Sequence, residues 1–238
     1  MRVIKSVVTT DAILTSSNIP EDEYPAWVSG TSYTALDKVI YEHKIYERIV
    51  TGAGTTPPDL DQVNWLDSGY TNRYRMFDNV ISNVSSRTGG IEFTLTPNQI
   101  INGIALLNVN ASTVRVVVND PIEGVVYDRT KELRSSSNVI DYYSYFFAPL
   151  INLGDLDTAI FLDLPNKPTA TITVYVSAGS GLVEVGEVVY GIIYSVPCVF
   201  IGNPEMEELI VYGFYSDFKA TISFPTVSKC TLRVEGLV

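Results

Sequence analysis

A β-branched run, Thr113-Val114-Arg115-Val116-Val117-Val118, carries the clearest secondary-structure signal in this chain. Polar and apolar residues alternate over its first half, and a period of two is typical of a strand that buries one face. Thr171-Ile172-Thr173-Val174-Tyr175-Val176 and Lys229-Cys230-Thr231-Leu232-Arg233-Val234 have the same character. We therefore predict a strand at each of these three places.

Further strand-like runs occupy much of the rest of the chain. They lie at residues 91–95, 103–109, 124–127, 159–162, 182–189, 209–215 and 220–224. The runs recur about every 8–12 residues with turn residues between them, which is typical of a β-sandwich. The best helix candidate is short, from Asn203 to Leu209, with Asn203 as cap and Pro204 in the first turn. We predict an all-β protein with a jelly-roll-like sandwich.

Composition excludes several classes of function. Of 238 residues, 46% are hydrophobic, and 27 acids against 16 lysines and arginines leave a net charge of −11. Such a chain can bury a core, whereas a nucleic-acid binder needs a positive field, so we expect no nucleic-acid partner. No run approaches the ~20 apolar residues of a membrane span. The first residues also lack the apolar run of a signal peptide, so we expect a soluble protein made in the cytoplasm, without membrane insertion.

Catalysis has little support in the sequence. A Ser-His-Asp or Cys-His arrangement needs a histidine, and the chain has only His43. Cys198 and Cys230 lie too far apart for a paired zinc motif and are too few for a disulfide scaffold, so we expect buried thiols. We predict no enzyme, no catalytic residue, no metal and no cofactor.

Carboxylate pairs leave one alternative open, since a glycosidase needs only two acids about 5–10 Å apart. The candidates are Asp59 with Asp61, and Asp155 with Asp157 and Asp163. We interpret them as turn residues that cap loops.

Residues 24–69 differ from the rest in composition. They contain both tryptophans, the only histidine and a loop rich in Gly, Thr and Pro. We predict that they form an insert in a discontinuous main domain made of residues 1–23 and 70–238.

The order of residues in this insert resembles the small chitin- and cellulose-binding modules of carbohydrate-binding families five and twelve. Leu36-Asp37-Lys38-Val39 stands where those modules have a "G-D-x-V" strand, Tyr41-Glu42-His43-Lys44-Ile45-Tyr46 where they have a "Y-x-G-K-x-Y" hairpin, and Trp65 closes the pattern. Glu42-His43 departs from the usual Asn-Gly turn. We interpret His43 as a solvent-facing turn residue.

The resemblance implies a three-stranded module that binds glycan on aromatic rings, because the C–H face of a pyranose stacks on a flat ring. The candidate glycan-binding residues are Trp27, Tyr33, Tyr41, Tyr46 and Trp65. A module of about 45 residues has little other core, so we expect two or three of these rings to be buried. We expect Trp27 and Trp65 to form the core pair.

Residues 71–191 resemble a galactose-binding-like jelly roll of the discoidin type. The likeness rests on an "N…FD" entry at residues 71–78, a strand at 104–111 and a "v-g-E-l-x-x-G"-like strand at 183–191. It implies the fold, while sandwiches of this kind serve many functions.

The whole chain resembles tail-associated virion proteins of bacteriophages and prophages. The insert near the amino terminus, residues 142–147 and the closing aromatic hairpin within 192–238 carry this likeness, although the chain is short between Ile193 and Phe200. Exposed aromatic strands mark subunit interfaces, and the alternative is packing on the chain's own sandwich. The candidate interface residues are Tyr212, Phe214, Tyr215 and Phe218.

Together these likenesses imply a structural component of a phage tail or tail tip, located in the virion and homo-oligomeric within the particle. Other tail subunits and host-surface glycan are its expected partners. One alternative is a purely architectural virion protein whose insert contacts other subunits without binding sugar. Another is an accessory domain of a secreted glycan-degrading enzyme.

Overall fold

The structure is a computed structural model that describes residues 2–133, 146, 157–195, 208–212, 218–223 and 231–236. The chain divides into two compact units. One consists of Ile4–Ile192, and the other of Met1–Val3 with Ile193–Val238.

The described strands follow one another along the chain with few helical residues. Their bounds are β1 Arg2–Ser6, β2 Leu14–Ser17, β3 Ser32–Tyr33, β4 Lys38–Tyr41, β5 Lys44–Arg48, β6 Gly52–Ala53, β7 Trp65–Tyr70, β8 Ser85–Thr88, β9 Ile91–Leu95, β10 Gly103–Asn110, β11 Thr113–Asp120, β12 Gly124–Glu132, β13 Ala159–Phe161, β14 Thr171–Ser177, β15 Leu182–Ser195, β16 Glu208–Tyr212, β17 Phe218–Ser223 and β18 Thr231–Gly236. Short 3₁₀ turns occur at Pro58–Leu60 and Arg75–Phe77.

Two five-stranded sheets form the sandwich of the larger unit. One has the order β12-β11-β14-β9-β2, and the other β1-β15-β10-β13, with β8 also paired to β15. One edge of the long β15 pairs with β10. Its other edge pairs with β8 and, further along the strand, with β1. The pairs β11–β12, β11–β14 and β14–β9 are all antiparallel.

The core lies between the two sheets because alternate side chains of both point inward. Val114, Val116 and Val118 of β11 are buried, as are Ile172, Val174 and Val176 of β14, while residues between them are exposed or half-buried. From the facing sheet, Ile104, Leu106, Val183, Val185 and Tyr190 join the same apolar cluster. An all-β jelly-roll-like sandwich with a small inserted three-stranded module is confirmed.

Residues 24–70 contain two small sheets of their own. A three-stranded antiparallel sheet has the order β4-β5-β7, and β3 pairs with β6. These residues belong to the same compact unit as the sandwich, and the chain divides at Ile192 and Ile193 instead. The proposed boundaries of the insert and of the discontinuous main domain therefore stay a prediction.

The predicted helix over Asn203–Leu209 is wrong at its end, because Glu208 and Leu209 begin β16. There the backbone pairs with β17, in register Glu208 with Ser223 and Leu209 with Ile222. Residues 203–207 lie outside the described residues. Tertiary pairing overrides the acidic first-turn signal on which the helix prediction depended.

The described strands of the smaller unit form an antiparallel sheet of order β16-β17-β18. Two candidate interface residues lie at strand ends, where Tyr212 pairs with Lys219 and Phe218 with Gly236. Phe214 and Tyr215, like the two cysteines and residues 142–145 and 147, lie outside the described residues. Within the described ranges, none of the helices is long and apolar enough to span a membrane.

Candidate functional site

The insert has a very small core of its own. Val39, Tyr46 and Trp65 are buried side by side, on β4, β5 and β7 respectively. Arg48 pairs with Trp65 across the two strands, and its guanidinium lies 4.9 Å from the centre of the indole ring. Arg48 is only 4% exposed, and its Nη2 donates to the Gly52 carbonyl over 3.2 Å. Tyr46 and Trp65 are thus covered by the insert itself and form its framework.

Tyr33 is also fixed by internal contacts. Its ring meets that of Trp65 edge-on, with 5.2 Å between centroids and an angle of 69° between planes. Its hydroxyl oxygen accepts the Val28 N–H over 2.8 Å and donates to the Val28 carbonyl over 3.4 Å. Because both ends of this half-buried side chain are engaged, it stabilises the loop before β3.

Trp27 and Tyr41 remain as a pair at the border of the small core. Both are half-buried, and their rings meet edge-on with centroids 5.4 Å apart and planes at 81°. The Trp27 backbone is attached to β4, since its N–H donates to the Ile40 carbonyl over 2.9 Å. The expected core pair of Trp27 and Trp65 is therefore corrected. Tyr46 takes the central place beside Trp65 because it lies on the middle strand of the sheet.

Two carboxylates act electrostatically on Tyr41 of this pair. Partial desolvation, and then the negative charges of Glu42 and Asp59, raise the pKa of the Tyr41 phenol. Asp59 lies in the 3₁₀ turn before β7, and its Oδ1 is shielded from solvent without a hydrogen-bond partner within the described residues, whereas Glu42 is exposed. Trp27, Tyr41, Glu42 and Asp59 together form what we call the aromatic–acid surface of the insert. Aromatic faces beside carbonyl-type acceptors are chemically suited to bind a polyol.

Of the other candidate acids, Asp61 acts as the predicted turn residue, whereas the contacts of Asp163 are with side chains of β12. Asp61 accepts the Asn64 backbone N–H over 3.3 Å and the Asn64 side-chain amide over 2.9 Å, which caps the turn into β7. Asp163 accepts the Tyr127 hydroxyl over 2.7 Å and lies 2.7 Å from the Arg129 guanidinium. Asp155 lies outside the described residues. Across the described ranges, the structure contains no group of three or more His, Cys, Asp or Glu side chains that could hold a metal ion.

His43 is not the solvent-facing turn residue that the sequence predicts. It ends the β4–β5 turn, where Glu42 and His43 have φ values of 46° and 65°, a left-handed pair of the kind that Asn-Gly usually supplies. Its Nδ1 lies 3.0 Å from Oε1 of Glu21, and its Nε2 lies 2.7 Å from Oδ1 of Asp11. The imidazole is half-buried because these carboxylates, distant in sequence, fold over it.

Three further side chains complete this group, which we call the His43 cluster. The Tyr74 ring stacks on the imidazole, with centroids 3.9 Å apart, and its hydroxyl donates to Asp11 over 2.7 Å. Thr71 donates its hydroxyl to Glu21 over 2.6 Å, and Arg73 donates from Nη1 to the same carboxylate over 3.3 Å. Sequence analysis missed the cluster because its members come from separate segments. Its one available signal was Glu42-His43 in place of an Asn-Gly turn.

Partial burial by itself lowers the pKa of His43, but hydrogen bonds to Asp11 and Glu21 and their charges outweigh it and raise the pKa above its usual value. The Tyr74 and His43 hydrogen bonds lower the pKa of Asp11. Burial, and then the Asp11 contact, raise the pKa of Tyr74. The cluster therefore favours a protonated imidazole beside an ionised Asp11.

No known protein family matches the chain, and no curated protein does. Among solved structures, the chain is similar to the F5/8 type C domain of a Bacteroides fragilis protein, with 11% identity and a TM-score of 0.33. That match covers 50% of this chain and 79% of the other. No conclusion about function follows from a likeness of this extent.

Proposed function

We propose that this chain is a non-enzymatic component of a phage tail or tail tip, and that the aromatic–acid surface of its insert binds host-surface glycan. The glycan-binding part of this proposal is supported by the different contacts and exposure of the five candidate rings. Tyr46 and Trp65 are buried in the insert's core, and the half-buried Tyr33 packs against that core with its hydroxyl bonded to Val28. Trp27 and Tyr41 are left half-exposed with carboxylates beside them.

Sugar recognition matches this chemistry. A pyranose presents an apolar C–H face to an aromatic ring, while its hydroxyls donate to acceptors such as the exposed Glu42 carboxylate. The net charge of −11 disfavours anionic polysaccharide, so neutral or amino sugars are the expected ligands. A single such site is weak, and many copies on one particle would provide retention through effective concentration.

The tail assignment depends on the resemblance of the whole chain to tail-associated virion proteins. On this assignment we propose that the protein is synthesised in the bacterial cytoplasm and located in the virion, as a homo-oligomer in contact with other tail subunits. The aromatic hairpin is the proposed site of those contacts.

Binding of the full chain, displayed multivalently, to a panel of host-surface glycans tests the glycan part. We expect saturable binding that Tyr41→Ala weakens about tenfold or more, which corresponds to ~1.4 kcal/mol. Glu42→Gln keeps the side-chain shape of the exposed carboxylate and should weaken binding as well. Leu66→Ala, at an exposed position of the same insert, is the matched control and should bind normally. Absence of binding by the multivalent wild type would contradict the proposal.

A second candidate function has its own support, because the insert also exposes apolar side chains. Leu36 and Val63 are 74% and 80% exposed, and Ile49 and Val50 are exposed near them. Backbone hydrogen bonds from Leu36 to Arg48 and from Ile49 to Asn64 bring these segments together. Exposed apolar groups of this kind mark protein interfaces, which favours the architectural alternative.

Val63→Lys separates the two functions. A charge at this exposed position should prevent incorporation into particles if the insert contacts another subunit, because burial of an unpaired charge is costly. The same variant should leave glycan binding unchanged. Incorporation of Val63→Lys at the wild-type level would contradict a subunit contact at this position.

A further inference from the structure

The His43 cluster joins the insert to the sandwich on both sides of the insertion. Asp11 precedes β2, Glu21 lies just before the insert, and Thr71 to Tyr74 follow directly after it. The backbone takes part too, since the Thr71 N–H donates to the His43 carbonyl over 2.8 Å. One imidazole at the tip of the β4–β5 hairpin thus holds three segments of the larger unit.

Rings extend this connection into the core of the sandwich. His43 stacks on Tyr74, Tyr74 meets Phe77 edge-on at 6.4 Å, and Phe77 meets the fully buried Phe93 at 5.6 Å. Packed rings of this kind transmit a displacement of one member to the next, because interiors have few voids. A continuous series of ring contacts therefore leads from the hairpin tip to β9.

The geometry favours a proton on each ring nitrogen. Both nitrogens face carboxylate oxygens, at 3.0 Å for Glu21 and 2.7 Å for Asp11. Only the imidazolium donates from both nitrogens; a neutral imidazole turns one lone pair toward a carboxylate. The left-handed backbone of His43 also has a conformational cost, which these contacts offset.

The charged and titratable groups around the imidazole come from every segment packed against it. Asp11 and Glu21 face its nitrogens, and Tyr74 covers its face. Arg73 contributes one positive charge through its contact with Glu21, and the neighbouring Lys44 is paired with Asp67 instead. Two carboxylates against one nearby arginine leave a net negative site, which attracts the imidazolium.

We propose that the His43 cluster is a pH-sensitive clasp, in which the doubly protonated imidazole holds the insert against the sandwich and loss of its proton loosens that attachment. Because the pKa of His43 is raised in the folded state, its protonation stabilises the folded state. The stabilisation is fully present below the unfolded value of about 6.5 and is lost as pH rises through the higher folded value. The clasp acts on the orientation of the insert whatever the insert binds.

The experiment is an NMR titration of the full chain, in which the single histidine gives one set of carbon-bound imidazole proton signals. We expect a midpoint above 6.5, shifted downward in Asp11→Asn and in Glu21→Gln. Amide exchange of Thr71 reports on the attachment, because its N–H bonds to His43. Its protection should fall on the order of tenfold through the midpoint, whereas that of Val116 in β11 should stay constant.

His43→Asn is the matched variant, because Asn tolerates the left-handed backbone but cannot bridge both carboxylates. We expect low Thr71 protection at all pH values in this variant, with normal fluorescence from the two tryptophans of the insert. If that variant disrupts the insert, Glu21→Gln provides the same comparison with a nearly unchanged shape. A His43 midpoint at or below 6.5, or Thr71 protection that does not change through it, would overturn the proposal.

Discussion

Gly191 occupies a position in β15 where any side chain collides with the neighbouring strand. A Cβ there would overlap the Lys5 carbonyl of β1, and backbone cannot move aside as a flexible side chain can. We expect Gly191→Ala to lower the free energy of unfolding by about 1–3 kcal/mol, as overpacking in a closely packed interior does. Chemical denaturation measures this loss. Gly54→Ala, which has nothing within 4 Å, is the control, and equal stability of the two variants would contradict this prediction.

Tyr127 makes a specific hydrogen bond at the edge of the core. It is 9% exposed, and its hydroxyl donates to Asp163 over 2.7 Å. Tyr127→Phe keeps the ring and removes only the donor, so we expect a loss of about 1 kcal/mol, measured by urea denaturation. Asp163→Asn provides a comparison, because it keeps an acceptor for Tyr127 while weakening the contact with Arg129. Unchanged stability of Tyr127→Phe would mean that the hydroxyl makes no net contribution.

At the scale of elements, β7 shows how little core the insert has. Trp65 points inward and is 3% exposed, while Leu66 next to it points outward and is 56% exposed. Trp65→Ala removes the largest of three buried side chains, so we expect a loss of about 3–5 kcal/mol and unfolding of the insert. Fluorescence of Trp27, then the only tryptophan, follows the transition. Leu66→Ala should cost little; an equally large loss there would contradict this assignment of the two faces.

The pair Lys44–Asp67 clamps β5 to β7 over 2.7 Å. Burial opposes ionisation of Asp67, but the Lys44 and Gly69 hydrogen bonds outweigh it and lower its pKa below 3.8. Because the pKa of Asp67 is lowered in the folded state, the pair stabilises the fold above about pH 3.8. This stabilisation is lost as the pH falls through the lowered pKa. For a partly exposed pair we expect less than about 1 kcal/mol.

Melting temperatures between about pH 5 and pH 2.5 test this contribution, since one titrating carboxylate changes stability only near its own pKa. The melting temperature of the wild type should fall more steeply than that of Asp67→Asn. Parallel curves for the two proteins would show that Asp67 does not contribute.

For the whole molecule, the division into two units predicts that the sandwich folds without the rest. Its core residues lie between Leu14 and Tyr190, and β15 ends at Ser195. We expect a fragment of residues 1–195 to retain a cooperative unfolding transition and the dispersed NMR spectrum of a packed core. A fragment that is molten or insoluble would show that residues 196–238 are required for folding.

The predictable part of the fold consists of strands that bury one face. Ile91–Leu95 was predicted with its observed bounds, and β11 and β14 differ from prediction by one or two residues. In contrast, β8 has the sequence Ser-Ser-Arg-Thr, and the second half of β12 is polar and exposed. Strands held at an edge mainly by backbone hydrogen bonds carry no hydrophobic period, so periodicity cannot find them.

In the candidate site, the aromatic residues of the segment 24–69 are enough to predict five candidate rings, because residue type is read directly from the sequence. Which rings are buried and which face outward depends on the strand order β4-β5-β7. Only the structure therefore shows that Tyr46, and not Trp27, is buried beside Trp65. His43 shows the same limit most clearly. Its residue type and turn position belong to the sequence, whereas its protonation depends on Asp11 and Glu21, 32 and 22 residues away, which only the packing of separate segments brings within hydrogen-bond distance.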